Sequence, residues 1–205
     1  MNPAGPAGLI LAGGLSRRMG GGDKGLQSLG GETILARIAR RLAPQVSALL
    51  LNANGPADRF GLDLPVVPDT LAGHPGPLAG ILAGLDYLAR EAPAARFLLT
   101  VPSDCPFLPR DLAARLMTAA QASGAAYAAS GGREHPVVGV WEVALRGELR
   151  RLLVDEDERR MMRWALHVGA VPVEWPTEPL DPFANLNTPD DLKEAARLLA
   201  AYPSL

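Results

Sequence analysis

Residues 11–25 read Leu-Ala-Gly-Gly-Leu-Ser-Arg-Arg-Met-Gly-Gly-Gly-Asp-Lys-Gly, which sets six glycines among three cations directly after an apolar run. Glycine lets the backbone approach an anion closely, and its unpaired N–H groups can then cradle phosphate oxygens. Arg17, Arg18 and Lys24 supply the charge for a polyphosphate. The bland alternative is a surface loop with incidental arginines. A second block, Thr100-Val-Pro-Ser-Asp104-Cys-Pro, places a carboxylate just past another apolar run. Such a carboxylate can hold Mg²⁺, which takes one or two protein carboxylates and fills its remaining positions with phosphate and water. It can equally be a turn aspartate that satisfies local N–H groups. Asn52, at the end of a third apolar run, can donate to and accept from a base or ribose, although Asn54-Gly55 beside it also marks a turn.

Several chemistries are excluded. No Gly-Lys-Ser/Thr follows the glycines, so the loop is not a P-loop. Gly20 to Gly25 fit G-x-G-x-x-G, but the match begins well past the strand end, and the second strand ends in Asn52 rather than an acid, so a dehydrogenase reading falls. Cys105 is the one cysteine, which excludes an internal disulfide and a Cys-based zinc site. Its neighbours include no general base, and no spacing ties His135 or His167 to it, so a small, partly buried residue is expected. His74 is expected in a loop without a catalytic role. Of the 20 basic residues only Lys24 and Lys193 are lysine. A compact ammonium inside a glycine loop reaches phosphate oxygens where a planar guanidinium does not fit; Lys193, at the exposed start of the last helix, has no such constraint.

The elements that must position these residues alternate. Leu9–Ala12, Val46–Leu51, Leu64–Val67 and Phe97–Val101 read as buried strands. Helical spacing is found from Ile34 to Leu42, from Gly76-Pro77 to Arg90 and from Pro109 to Ala122. Beyond residue 124, Ala125–Ala129, Pro136–Trp141 and Ala170–Trp175 read as strands, and Glu142–Val168 as two helices. A last helix over Pro189–Ala201 is capped by Thr188 with Asp191. The pattern predicts an α/β protein: a three-layer, Rossmann-like, mainly parallel sheet with helices on both faces, its ligands bound beyond the carboxyl ends of the strands. Gly76, Gly80 and Gly84 form a small-residue stripe for close packing on that sheet, and the same helix offers its N-terminus to an anion. One domain over 1–205 is expected, with a flexible tail at 1–8, a nucleotide half at about 9–124 and an acceptor half at about 125–201. The formal net charge of −2 argues against nucleic-acid and membrane-surface partners. The absence of a long apolar run and of a basic, apolar leader points to a cytoplasmic protein.

The block Leu11-Ala-Gly-Gly-Leu-Ser-Arg-Arg-Met-Gly-Gly-Gly-Asp-Lys24 resembles the signature of nucleotidyltransferases with a GT-A-like fold, and within them the molybdenum cofactor guanylyltransferase (MobA) family. Gly76-Pro-Leu-Ala-Gly-Ile81, Glu134-His135-Pro136-Val137 and Asn185-Leu-Asn187-Thr-Pro189 resemble further family segments, so the likeness runs over roughly residues 8–195. The resemblance implies transfer of GMP from GTP to the terminal phosphate of molybdopterin, with release of pyrophosphate. It implies Asp104 as the Mg²⁺ ligand, with Arg18 and Lys24 stabilising developing charge. Leu11, Ala12, Gly13, Gly14, Lys24, Asn52, Asp69 and Asp104 then bind nucleotide, and Asn185 and Asn187 face the second substrate. Arg159, Arg160 and Arg163 stand open between a contact to that substrate's phosphate and a solvated helix face. A monomer is expected, in transient contact with cofactor-supplying and molybdoenzyme-maturation proteins. A cytidylyltransferase, a sugar-phosphate nucleotidyltransferase and a non-catalytic nucleotide sensor are the alternatives; Lys24 together with Asp104 weighs against the sensor.

Overall fold

Strand β1 (Ala7–Leu11) is buried at all five positions, as a strand covered on both faces must be. Its residues alternate between two cores. Leu9 and Leu11 pack with Leu78, Leu82 and Leu85, whereas Ile10 packs with Ile34, Ile38 and Leu116 on the opposite face. The computed structural model of the chain describes residues 1–2, 5–12, 24–71 and 76–202. Gly13, Gly14, Arg17 and Arg18 of the glycine-rich loop, and His74, lie outside the described residues.

After β1 come a small hairpin of β2 (Ser28–Leu29) and β3 (Glu32–Thr33), helix α1 (Ile34–Leu42), and strands β4 (Ala48–Asn52) and β5 (Val66–Val67). Helix α2 (Pro77–Glu91), strand β6 (Phe97–Pro102), helix α3 (Leu112–Ala119) and strands β7 (Ala125–Ser130) and β8 (Arg133–Glu142) follow. The chain continues through α4 (Arg146–Val154), α5 (Met161–His167), β9 (Val171–Trp175) and α6 (Pro189–Ala201). The main sheet has the order β5-β4-β1-β6-β8-β7-β9. All its pairings are parallel except those of β8, which runs antiparallel to both β6 and β7. The expected three-layer, mainly parallel architecture is the one observed, with α1 and α3 on one face and α2, α4 and α5 on the other.

Local chemistry explains the boundaries. Thr33 caps α1 by accepting from Ala36 N at 3.1 Å, and Thr188 with Asp191 forms the expected capping box of α6. Pro77 opens α2. The small-residue stripe packs as expected: a Cβ on Gly84 would lie 2.6 Å from Leu9 Cδ2 and 2.8 Å from Leu98 Cδ2, so α2 sits on the sheet at a distance only glycine allows.

Several boundaries differ from expectation, four of them with a clear local cause. Ala7 and Gly8 belong to β1 rather than to an N-terminal tail, and Asn2 N donates to Val46 O at 2.7 Å. β5 is only two residues long because Pro65 and Pro68, which lack an N–H, flank it. α3 starts three residues later than Pro109, where Gln45 bridges Pro109 O and Ala113 N, and the chain turns away at Gly124, φ 73°. β8 begins at Arg133 rather than Pro136. Its register against β7 shifts between Tyr127↔Gly139 and Ala128↔His135, so Pro136, Val137 and Val138 bulge from the ladder, a place where proline's missing donor costs nothing.

Candidate active site

The carboxyl ends of β1, β4 and β6 and the start of β8 border a cleft of about 840 Å³. Seven of the residues expected at the site, Leu11, Ala12, Lys24, Asn52, Asp69, Asp104 and Asn185, line it. Asn187 joins it through Lys24, whose Nζ donates to Asn187 Oδ1 at 2.6 Å. Gly13, Gly14 and Arg18 are outside the described residues.

Each side chain has a local reason for its place. Lys24 opens a 3₁₀ turn, Lys24–Leu26. Gly25, buried in that turn, brings the chain so close to the 103–104 segment that a Cβ would sit 3.4 Å from Ser103 O. Ser103 N in turn donates to Leu11 O at 3.1 Å. The end of β1, the turn after β6 and Lys24 are therefore held as one unit. Among the described residues, no carboxylate lies within ion-pair distance of Lys24, and its one side-chain partner is a neutral amide oxygen. Its charge is available to an anion.

Asp104 is half-buried at the cleft wall. Burial pushes its carboxyl up from the ordinary carboxylate range; the Lys24 ammonium, its own backbone N–H and the Cys105 thiol oppose that shift. A carboxylate that the protein desolvates without an ion-pair partner among the described residues has reason to meet a cation. Among the described residues no cluster of three His, Cys, Asp or Glu side chains forms a cage. That donor set fits Mg²⁺, which binds through one or two carboxylates plus phosphate oxygens.

At the opposite end of the cleft, Asn52 is 3% exposed. Its Nδ2 donates to Val67 O at 3.0 Å and to Asp69 Oδ1 at 2.9 Å. Both N–H groups are thus committed inside the protein, one of them to Asp69. Asn54, read from sequence only as a turn residue, grips the same carboxylate: its Nδ2 donates to Asp69 Oδ2 at 2.9 Å and its Oδ1 accepts from Asp69 N at 3.1 Å.

Cys105 is fully rather than partly buried, and burial pushes its thiol well above the ordinary range, so it is no nucleophile. The thiol donates to Asn185 Oδ1 at 2.8 Å, while Leu186 N donates to Asp104 O at 2.9 Å. The 183–187 segment is thereby stitched to the Asp104 turn, leaving the Asn185 amide NH₂ for the cleft. Arg159, Arg160 and Arg163 do not line the cleft. Arg159 pairs with Asp157 at 2.8 Å and Arg163 with Glu158 at 3.5 Å, and Arg160 also pairs with Glu158; this is the solvated-face alternative.

A cleft at the carboxyl edge of a mainly parallel sheet, lined by a cation, Lys24, and a desolvated carboxylate, Asp104, held close together, defines a nucleotide-handling α/β protein. Comparison with known sequences narrows the class. A family model described as the MobA-like NTP transferase domain matches residues 8–170, and the chain belongs to that family. It is 52% identical over 205 residues to the molybdenum cofactor guanylyltransferase of Rhodopseudomonas palustris (strain HaA2), covering 98% of this chain and 96% of that one. It is 55% identical over 196 residues to the molybdenum cofactor guanylyltransferase of Bradyrhizobium sp. (strain ORS 278), covering 94% and 92%. Its fold matches the crystal structure of molybdopterin-guanine dinucleotide biosynthesis protein A from Archaeoglobus fulgidus, with a TM-score of 0.73 at 21% identity over 95% of this chain and 99% of that one. Among the described residues, no helix is long and apolar enough to cross a membrane.

Proposed function

We propose that the chain is a Mg²⁺-dependent guanylyltransferase that joins GMP to molybdopterin. The observation that carries the reading is the hydrogen bond from Lys24 Nζ to Asn187 Oδ1. It brings a cation from the glycine-rich segment against the Asn-x-Asn segment, beside Asp104, where two phosphorylated substrates must meet. The full-length likeness to two molybdenum cofactor guanylyltransferases supports guanylyl rather than cytidylyl transfer.

In this reading GTP lies across the ends of β4, β1 and β6. Asp69, gripped by Asn52 and Asn54, accepts N–H groups of the guanine base. A terminal phosphate oxygen of molybdopterin attacks the α-phosphorus; the new P–O bond forms as the α–β bridging P–O bond breaks and pyrophosphate leaves with its electron pair. The nucleophile is already an anion, so no protein base is required. The protein's contribution is positioning and charge neutralisation. Lys24 faces the phosphates with a charge unspent on any described carboxylate, Arg18 adds a second cation, and Asn185 and Asn187 hold the acceptor. Mg²⁺, held by Asp104, supplies further neutralisation of phosphate charge when bound. A reducing compartment, the cytoplasm, suits the lone thiol.

The test is pyrophosphate release by purified protein supplied with GTP, CTP or ATP, with and without molybdopterin and Mg²⁺. Release that depends on GTP, the pterin and the metal together is expected. Equal release with CTP, or none with GTP and the pterin, would sink the reading.

A further inference from the structure

Strand β8 reaches the cleft beyond its ladder with β6, which ends at Thr100↔Gly139. The bulge at 136–138 is pinned from the buried side by Thr100, whose hydroxyl lies 2.9 Å from Val137 O and 3.2 Å from Gly139 O and accepts from Trp141 Nε1 at 3.0 Å. Bulges re-aim side chains, and here His135 stands at the bulge's edge and lines the cleft.

The imidazole is held by a relay that nothing described so far has used. His135 Nε2 lies 2.8 Å from Ser130 Oγ, and Ser130 is fully buried. Ser130 Oγ donates to Asp181 Oδ1 at 2.8 Å, an oxygen that also accepts from Phe183 N at 3.0 Å. The Phe183 ring packs on the imidazole with centroids 5.2 Å apart. A hydroxyl has one proton. Given to a carboxylate, which only accepts, it leaves Ser130 Oγ as an acceptor toward histidine, so Nε2 carries the ring proton. Nδ1 then presents a bare lone pair, and among the described residues nothing donates to it. Burial keeps the ring below its ordinary pKa; Arg133 adds to that effect, and Asp181 and Glu174 oppose it. The form that shows the lone pair is therefore the one favoured near neutral pH.

A neutral acceptor repels phosphate oxygens and selects an N–H donor. Two heterocycles could supply one, the guanine and the second substrate. β4, which ends in Asn52, and β8 are three strand spacings apart in the sheet, roughly 14 Å. A base held at Asp69 does not also reach His135. We propose that His135 is a specificity-determining residue for the acceptor substrate, taking a hydrogen bond through Nδ1 from an N–H of its heterocycle while Ser130 and Asp181 act as positioning residues that fix the tautomer. This rests on the guanylyl-transfer reading above.

Two variants separate the ring's two nitrogens. In His135→Gln the amide sits near the Nε2 position and keeps Ser130 company; in His135→Asn it sits near Nδ1. His135→Gln is expected to raise KM for molybdopterin about tenfold, the scale of one hydrogen bond, with KM for GTP unchanged, and His135→Asn to recover part of that loss. An acceptor KM unmoved by His135→Gln, or a GTP KM that moves instead, overturns the proposal. The second readout is ¹⁵N NMR of histidine-labelled protein, with the His135 signals assigned from their loss in His135→Gln. The Nε2–H tautomer is expected in the wild type and a tautomer mixture in Ser130→Ala; an Nδ1–H tautomer in the wild type also overturns the proposal. If the wild type shows no transfer to molybdopterin, the ligand assignment falls with the function it rests on, while the NMR result decides the orientation of His135 on its own.

Discussion

Gly80 ties the packing of α2 to the nucleotide end of the cleft, and replacing it by alanine tests that link. A Cβ at position 80 would overlap Asn52 Oδ1 and lie 2.8 Å from both Asn52 Cγ and Leu11 Cδ2. Asn52 is buried and spends both N–H groups on Val67 O and Asp69, so it cannot step aside without breaking them. Overpacking costs about 1–3 kcal/mol. Stranding the two acceptors costs about 1–3 kcal/mol more, and alanine's better helix propensity returns about 1 kcal/mol. The net is about 3 kcal/mol, or ~6–12 °C in Tm for a chain of this size. Gly84→Ala is the comparison: its Cβ lies nearest the flexible side chains of Leu9 and Leu98, so overpacking less the same helix-propensity gain leaves a destabilisation of about 1 kcal/mol, with Asn52 and Asp69 left in place. Thermal melts followed by circular dichroism measure the first effect, and calorimetric titration with GTP the second. Both variants should melt lower, but only Gly80→Ala should lose GTP affinity. Equal GTP affinity in the two variants, or a Gly80→Ala melt within about 1 °C of wild type, would refute the reasoning.

Lys24→Ala should lower transfer by about 10²–10³-fold, and Lys24→Arg should not restore it, since the guanidinium must fit where an ammonium meets Asn187 Oδ1 at 2.6 Å; single-turnover rates decide. Asp104→Ala should abolish pyrophosphate release at any practical Mg²⁺ concentration with the fold intact by circular dichroism, and near-normal rates would end the metal assignment. Asp191 accepts from Asn187 N and Thr188 N, both at 2.8 Å, and these bonds hold its carboxyl below the ordinary range. A depressed carboxyl stabilises the fold above its unfolded-state pKa and loses that contribution as pH falls through the folded one. Asp191→Asn should therefore melt below wild type at neutral pH, with the gap closing in acid. Cys105, buried with its thiol pushed up, should resist iodoacetamide in the native protein and react only on unfolding; rapid native labelling would contradict its burial.

The parts of the fold legible in the sequence are those in which one stretch of chain contains its own explanation. β1, β4 and β6 are apolar runs because parallel strands are covered on both faces, and the position of Asp104 follows once β6 is found, since ligands collect beyond strand ends. The capping box of α6 is equally local. Hairpin β2–β3 is not legible, because two residues per strand leave no periodicity to read. Nor is the bulge in β8, because the fact that makes Pro136 tolerable is a register shift against another strand. Asn52 shows the same limit: its sequence position marks a donor at a strand end, but only the folded chain reveals that Val67 and Asp69 have taken both protons.

The two lysines show how a local reading and a long-range contact meet. Both make one hydrogen bond to an oxygen of comparable length. Lys193 reaches Asp190, three residues away on an exposed helix turn, at 2.9 Å, a contact that an exposed arginine would make equally well and that contributes little. Lys24 reaches Asn187, 163 residues away, at 2.6 Å, and does so from a turn that Gly25 packs against the Asp104 segment. A single-point donor in that space can hold the neutral amide and still turn its remaining protons toward phosphate, whereas a planar fork commits its donors in fixed directions. In a chain that uses arginine for 18 of its 20 basic residues, the lysine at position 24 sits in surroundings that suit a compact charge, and those surroundings are assembled from both ends of the sequence.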